Sequence, residues 1–215
     1  MNWTMNWTLP SVRVLVIAGV VTVVVLAAAA GGWYWYDSQQ RRIAGMYAEV
    51  MTRVYAAQSP QSPADARAQA QKELEQLLTQ HPSAAPVAEA AYELGNLRYA
   101  ARQWAPARSA YEIALARGRS ATVRTLARTS IGYTWEAEQN WGKAIDAYGA
   151  LARDLTPRDF LFDDVQFALA RAQELGGKPA DAVATYQRLL KDEPNGLRSE
   201  EAKQQLLRLG GTPAK

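Results

Sequence analysis

Cysteine is absent from the 215 residues and histidine occurs once, as His81. Without a thiol there is no disulfide staple, no iron–sulfur cluster, no cysteine-ligated zinc and no cysteine nucleophile. A lone histidine beside Pro82 in an expected turn excludes His-rich metal clusters and is poorly placed for acid–base chemistry. An excess of one charge is missing too: 24 Lys+Arg stand against 21 Asp+Glu, and a net +3 over this length does not argue for nucleic acid. Past Tyr36 nothing alternates with period two, so strands are not expected. The acidic pairs Asp163–Asp164 and Glu200–Glu201 are neighbours in sequence at helix starts, where carboxylates favour the dipole, rather than opposed catalytic groups. Gly176–Gly177–Lys178–Pro179 lacks the spacing of a phosphate loop. No enzyme, cofactor, metal site or small-molecule substrate is expected.

What the chain does have is a charge-free run from Val14 to Tyr36, 23 residues long. As a helix it would span about 35 Å, enough for a hydrocarbon core of about 30 Å. Trp33, Tyr34, Trp35 and Tyr36 close the run and Trp3 and Trp7 precede it, the pattern of two interfacial aromatic belts. Val14 to Leu26, with Ala28 and Ala30, also fits a cleavable leader. Continuation of apolar and interfacial residues to Tyr36 favours an anchor. Arg13 alone flanks the N-terminal side, whereas Arg41, Arg42 and Arg53 follow, so the charge rule would leave the large domain in the cytoplasm; long domains translocate largely regardless of it, and topology stays open. The tandem MNWTMNWT start offers Met1 or Met5 as initiator.

Downstream, three stretches share a template. An apolar-small pair (Leu94–Gly95, Ile131–Gly132, Leu169–Ala170) is followed by Ala107–Tyr111–Ala114, Ala144–Tyr148–Leu151 and Ala182–Tyr186–Leu189, at intervals of 37 and then 38 residues. Small residues let two antiparallel helices cross closely, so Gly95 and Gly132 are expected to face Ala107 and Ala144, with the tyrosines filling the joint to the next hairpin. The extra residues per period are expected in the links between units. At these positions the sequence resembles the tetratricopeptide repeat, whose unit is about 34 residues. Ala70, Leu74, Leu77 and Pro82 suggest a degenerate first unit, opened by a helix from about Asp37 to Ala57 and broken at SPQSP, Ser59 to Pro63. Ser199 to Leu209 reads as a capping helix with Ser199 as its N-cap.

The resemblance implies an all-α fold, one N-terminal transmembrane helix followed by an α-solenoid of helical hairpins. Its parts would be a tail at 1–13, a transmembrane helix at 14–36, a juxtamembrane helix and degenerate repeat at 37–86, three repeats at 87–196, and a capping helix and tail at 197–215. It also implies that the first helix of each hairpin lines a concave groove for peptides. The exposed positions there are Tyr92, Asn96 and Tyr99, then Tyr133 and Glu136, then Phe167, Arg171 and Glu174. Of the family's carboxylate clamp only Asn96 matches; Tyr92, Ser130, Asp164 and Ala168 occupy the other positions, so chaperone-tail binding is not implied. Anchor, aromatic junction and repeats together resemble the YfgM-type ancillary translocon subunits and periplasmic chaperones of bacterial inner membranes. That resemblance implies a single-pass protein with a periplasmic solenoid, holding protein partners at a translocon or another membrane complex in secretion or envelope biogenesis. A structural subunit of a large bioenergetic membrane complex is the alternative.

Overall fold

A computed structural model describes residues 12–59 and 61–212. Trp3, Trp7, the two candidate initiators, Pro60 of the proline break and the last three residues lie outside the described residues. Among those described there are nine helices and no strand: α1 (Val12–Ala57), α2 (Ala64–Gln80), α3 (Val87–Ala100), α4 (Trp104–Arg117), α5 (Ala121–Ala137), α6 (Trp141–Asp154), α7 (Phe162–Leu175), α8 (Pro179–Asp192) and α9 (Ser199–Arg208). The chain forms two compact units, the first ending at Met46 and the second beginning at Tyr47.

In the first unit α1 exposes the valines from Val16 to Val25 and its Trp33–Tyr36 cluster, each of those four rings being more than half exposed. The helix is long and apolar enough to cross a membrane, and none of its most apolar window is buried inside the protein. Asp37 and Arg41 form an i,i+4 pair at 2.8 Å where the apolar run ends.

The second unit opens with the last turns of α1, where Tyr47, Val50, Val54 and Ala57 make a buried stripe at helical spacing. Ala70, Leu74 and Leu77 of α2 are buried likewise, and the Tyr47 hydroxyl donates to the Leu77 carbonyl at 3.1 Å. No basic residue sits in the last turn of α1. Arg67 of α2 supplies the missing charge by donating to the carbonyls of Ala57, Ser59 and Ser62 at 3.2 to 3.4 Å, which satisfies the helix end at the break.

Helices α3/α4, α5/α6 and α7/α8 form three hairpins, and the core is a string of separate clusters at the joints. Tyr111 and Ala114 meet Ala91 and Ala127; Tyr148 and Leu151 meet Val165, Ala168 and Leu169; Tyr186 and Leu189 meet Phe162, Ala202 and Leu206. The atoms nearest Gly95 and Gly132 belong to the tyrosines of their own hairpins: a Cβ on Gly95 would lie 2.8 Å from Cζ of Tyr111. The rings therefore close the hairpin first and reach the next unit second. Period length also departs from expectation. From α3 to α5 the added residues lengthen a helix, α5 having 17 residues against 14 for α3, while the later additions do fall in the connectors. Ser199 is not the N-cap of α9; that place is Arg198, and the Ser199 hydroxyl reaches back to the Glu193 carbonyl.

Four helices end on one turn. Arg102, Gln139, Gly177 and Gly210 all have φ between 57° and 77°. At each, the following N–H bonds five residues back in the Schellman pattern: Gln103 to Arg98, Asn140 to Trp135, Lys178 to Gln173 and Gly211 to Leu206, at 2.8 to 2.9 Å. Two of these left-handed positions carry a side chain, which costs roughly 1 kcal/mol. Arg102→Gly and Gln139→Gly are therefore expected to raise stability by about 0.5–1 kcal/mol each, and Gly177→Ala to lower it by about 1 kcal/mol. Urea denaturation of the three variants checks the signs.

Candidate functional site

Six of the eight expected groove residues fall into two polar and aromatic groups on the first helices α3, α5 and α7, one around Tyr111 and one around Glu136. Glu136 is the centre of the second group. One carboxylate oxygen accepts from Arg171 Nε at 2.7 Å, and the other accepts from Arg171 Nη2 at 3.0 Å and from the Tyr148 hydroxyl at 2.9 Å. The Glu136 side chain is only 13% exposed, so this fork is a charge-assisted pair in a shielded place. Arg171 stays firmly protonated: burial opposes its charge, but the Glu136 bonds outweigh that. Burial, reinforced by the Glu136 charge, pushes the Tyr148 phenol upward.

Tyr99 stands against Trp104 edge-on, with ring centroids 4.9 Å apart, and Tyr133 against Tyr148 at 5.9 Å. Both are half-buried, and burial raises both phenols. Tyr92 packs on Tyr111 at 5.6 Å. Asn96 accepts the Tyr111 hydroxyl at 2.9 Å and donates to Glu93 at 3.0 Å. The other two residues stand apart. Phe167 is buried in the α7–α8–α9 core against Tyr186, and Glu174 is engaged by Arg208 of α9.

Asp164, which the sequence placed at a clamp position, is held by Arg198, and Glu174 by Arg208; the two arginines are not among the expected groove residues. Arg198 donates to Asp164 at 2.8 Å and covers the Phe167 ring at 5.4 Å. A signal existed: Asp164–Arg198 and Glu174–Arg208 are 34 residues apart and Glu136–Arg171 is 35, an acid in one unit and an arginine one unit later. The spacing is visible only once each arginine is assigned to a helix. Among the described residues no group of three His, Cys, Asp or Glu side chains could hold a metal ion.

Comparison with known proteins matches residues 164–196, the α7/α8 hairpin, to the tetratricopeptide repeat family. The fold is an α-solenoid of tetratricopeptide-like hairpins. Its fold is similar to two crystal structures of a candidate kinesin light chain from Podosopora anserina with nearly identical tetratricopeptide-like repeats, one of them a point variant. Each is 16% identical and covers 79% of this chain, with 86% and 85% of the other chain covered and TM-scores of 0.58 and 0.59. At that identity the likeness shows the fold alone. No curated protein matches the chain in sequence. Tetratricopeptide repeats indicate a protein–protein interaction module.

Proposed function

We propose that the protein is a membrane-anchored protein–protein interaction module, adaptor or chaperone-like, serving secretion or envelope biogenesis at a bacterial inner membrane. In this reading α1 is a single span, the solenoid faces the periplasm, and Tyr92, Asn96, Tyr99, Tyr133, Glu136 and Arg171 contact a polypeptide partner. The observation that carries it is the state of the inner face: its charges are already paired with one another, and its half-buried tyrosines are held by aromatic neighbours. Such a surface loses little side-chain freedom on binding and offers ring edges and hydroxyls to a peptide backbone. The exposed apolar length of α1 supports the anchor.

A photoreactive residue placed at Tyr99 or Tyr133 in cells tests the proposal. The expected result is capture of one or a few envelope proteins, with the same residue at exposed Arg119 giving none. Capture of nothing above background at either tyrosine overturns the inner-face reading. Purification as a fixed stoichiometric assembly with respiratory subunits would instead make the chain a structural subunit.

A further inference from the structure

We propose that the opposite side of the solenoid carries a second docking site, which receives a carboxylate of an acidic, amphipathic partner segment over Gln166, between Arg153 and Arg188. The site is a cleft of about 600 Å³ between the second helices α6 and α8, floored by α7. It is open because its walls there are Gly149, Ala152 and Ala184, which have at most a methyl group to fill it, over the apolar floor of Leu169. A Cβ on Gly149 would meet nothing nearer than Leu169 at 3.9 Å.

Gln166 lines this cleft, is 2% exposed, and has an Nε2 with no hydrogen-bond partner. A buried amide donor left unpaired is costly, and a methionine would fill the same volume without that cost. The register of the cleft shows what surrounds it. Thr185 Oγ1 donates to Gln173 Oε1 at 2.8 Å, which aligns α7 antiparallel to α8. Two turns along, Gln166 is level with Asp192, the residue toward which the Arg188 guanidinium extends at 3.5 Å. Arg153 occupies on α6 the place that Lys191 holds one repeat later, so a second guanidinium stands at the same end. The carboxylate next to it in sequence, Asp154, is turned instead to Arg128 at 2.7 Å. Asp146, the acidic residue lining the cleft, is level with Ala184, toward the other end. One end of the cleft thus holds the Arg153 guanidinium, an unpaired amide and the Arg188 guanidinium, whose Nε stands 3.5 Å from the Asp192 carboxylate. Planar guanidinium forks match a carboxylate, while Ile145 and Leu169 offer contact to the apolar side of the segment that bears it. The arrangement is separate from the inner face and stands or falls without it.

The test uses the full chain in detergent and a fluorescein-labelled helical peptide with leucines on one face and glutamates on the other, titrated by anisotropy. Its counterpart with every glutamate replaced by glutamine is the second probe. The glutamate peptide is expected to bind at least about tenfold tighter than its counterpart, and more weakly as salt rises. Arg153→Glu and Arg188→Glu should each weaken it about tenfold, whereas Arg119→Glu, on the distant α4–α5 connector, should not. Gln166→Met should weaken binding while leaving Tm unchanged or higher, an outcome a purely structural amide would not give. Equal affinity for the two peptides, no binding of either, or a Gln166→Met variant that melts earlier yet binds normally would each overturn the proposal.

Discussion

Above pH 10 the solenoid is expected to lose stability steeply and to unfold cooperatively before pH 12. Buried phenols set this limit, and the three most strongly raised stand at the joints between units. Burial pushes Tyr186 up to about 12 and raises Tyr111 and Tyr148 as well, from an ordinary value near 10. All three are at most 2% exposed and sit at the joints between units. A raised folded value means that the contribution is fully present below pH 10, where both states hold the proton. It is lost as pH rises from there, because the unfolded phenol ionises first. Each such group removes about 1.4 kcal/mol per pH unit, so three remove about 4 kcal/mol per unit. Against a total of roughly 5–15 kcal/mol this is decisive within two units. Urea midpoints followed by circular dichroism from pH 8 to 12 check it, and a flat profile would contradict it.

The three rings separate under substitution. Tyr148 donates to Glu136 and Tyr111 to Asn96, but the Tyr186 hydroxyl is buried without a partner, since Glu174, the counterpart of Glu136, is taken by Arg208. Tyr148→Phe should cost about 1.5–3 kcal/mol at pH 8, the bond being to a charged acceptor. Tyr186→Phe should cost nothing or stabilise slightly at that pH, and should flatten the alkaline slope by about 1.4 kcal/mol per pH unit.

Gly132→Leu should destabilise by about 3 kcal/mol or more. A Cβ on Gly132 would lie 2.7 Å from both Cδ1 and Cζ of Tyr148. That ring cannot swing aside, because it is fully buried and its hydroxyl is fixed on Glu136. Gly132→Ala is milder: overlap of about 1–3 kcal/mol is offset by about 1 kcal/mol of helix propensity. The third hairpin shows that the shift is attainable, since Ala170 occupies that place beside a fully buried Tyr186. Gly149→Ala, with its Cβ in ordinary contact, should gain about 0.5–1 kcal/mol. Thermal melts of the four proteins rank them; a Gly132→Leu variant as stable as the parent would show that the close approach is not constraining.

The fold was legible because a solenoid writes itself in the sequence repeatedly. Leu94–Gly95 and Ala107–Tyr111 gained meaning when the same types returned at Ile131–Gly132 and Ala144–Tyr148, and backbone spacing follows directly from such recurrence. That each tyrosine packs on the glycine of its own hairpin was not legible, because side-chain direction is a matter of rotamer rather than spacing. The inner face was partly legible. Helix position placed Tyr99, Tyr133, Glu136 and Arg171 together, but Phe167 turned inward with the larger α7–α8–α9 cluster, and the arginines that lock Asp164 and Glu174 come from the following connector and helix. The shared turn at Arg102 and Gln139 was hidden because neither residue is glycine, unlike Gly177.

The division of the core into clusters at the joints also bears on how such a chain can change length. Each joint is made from the second helix of one hairpin and the first helix of the next, and the last is closed by α9 through Ala202 and Leu206. A duplicated hairpin inserted between α8 and α9 would meet surfaces of the same shape on both sides and leave the other joints untouched. Gain or loss of a whole unit is then a smaller disturbance than a single bulky side chain at Gly132, so architecture of this kind is free to vary by hairpins while its seams are not.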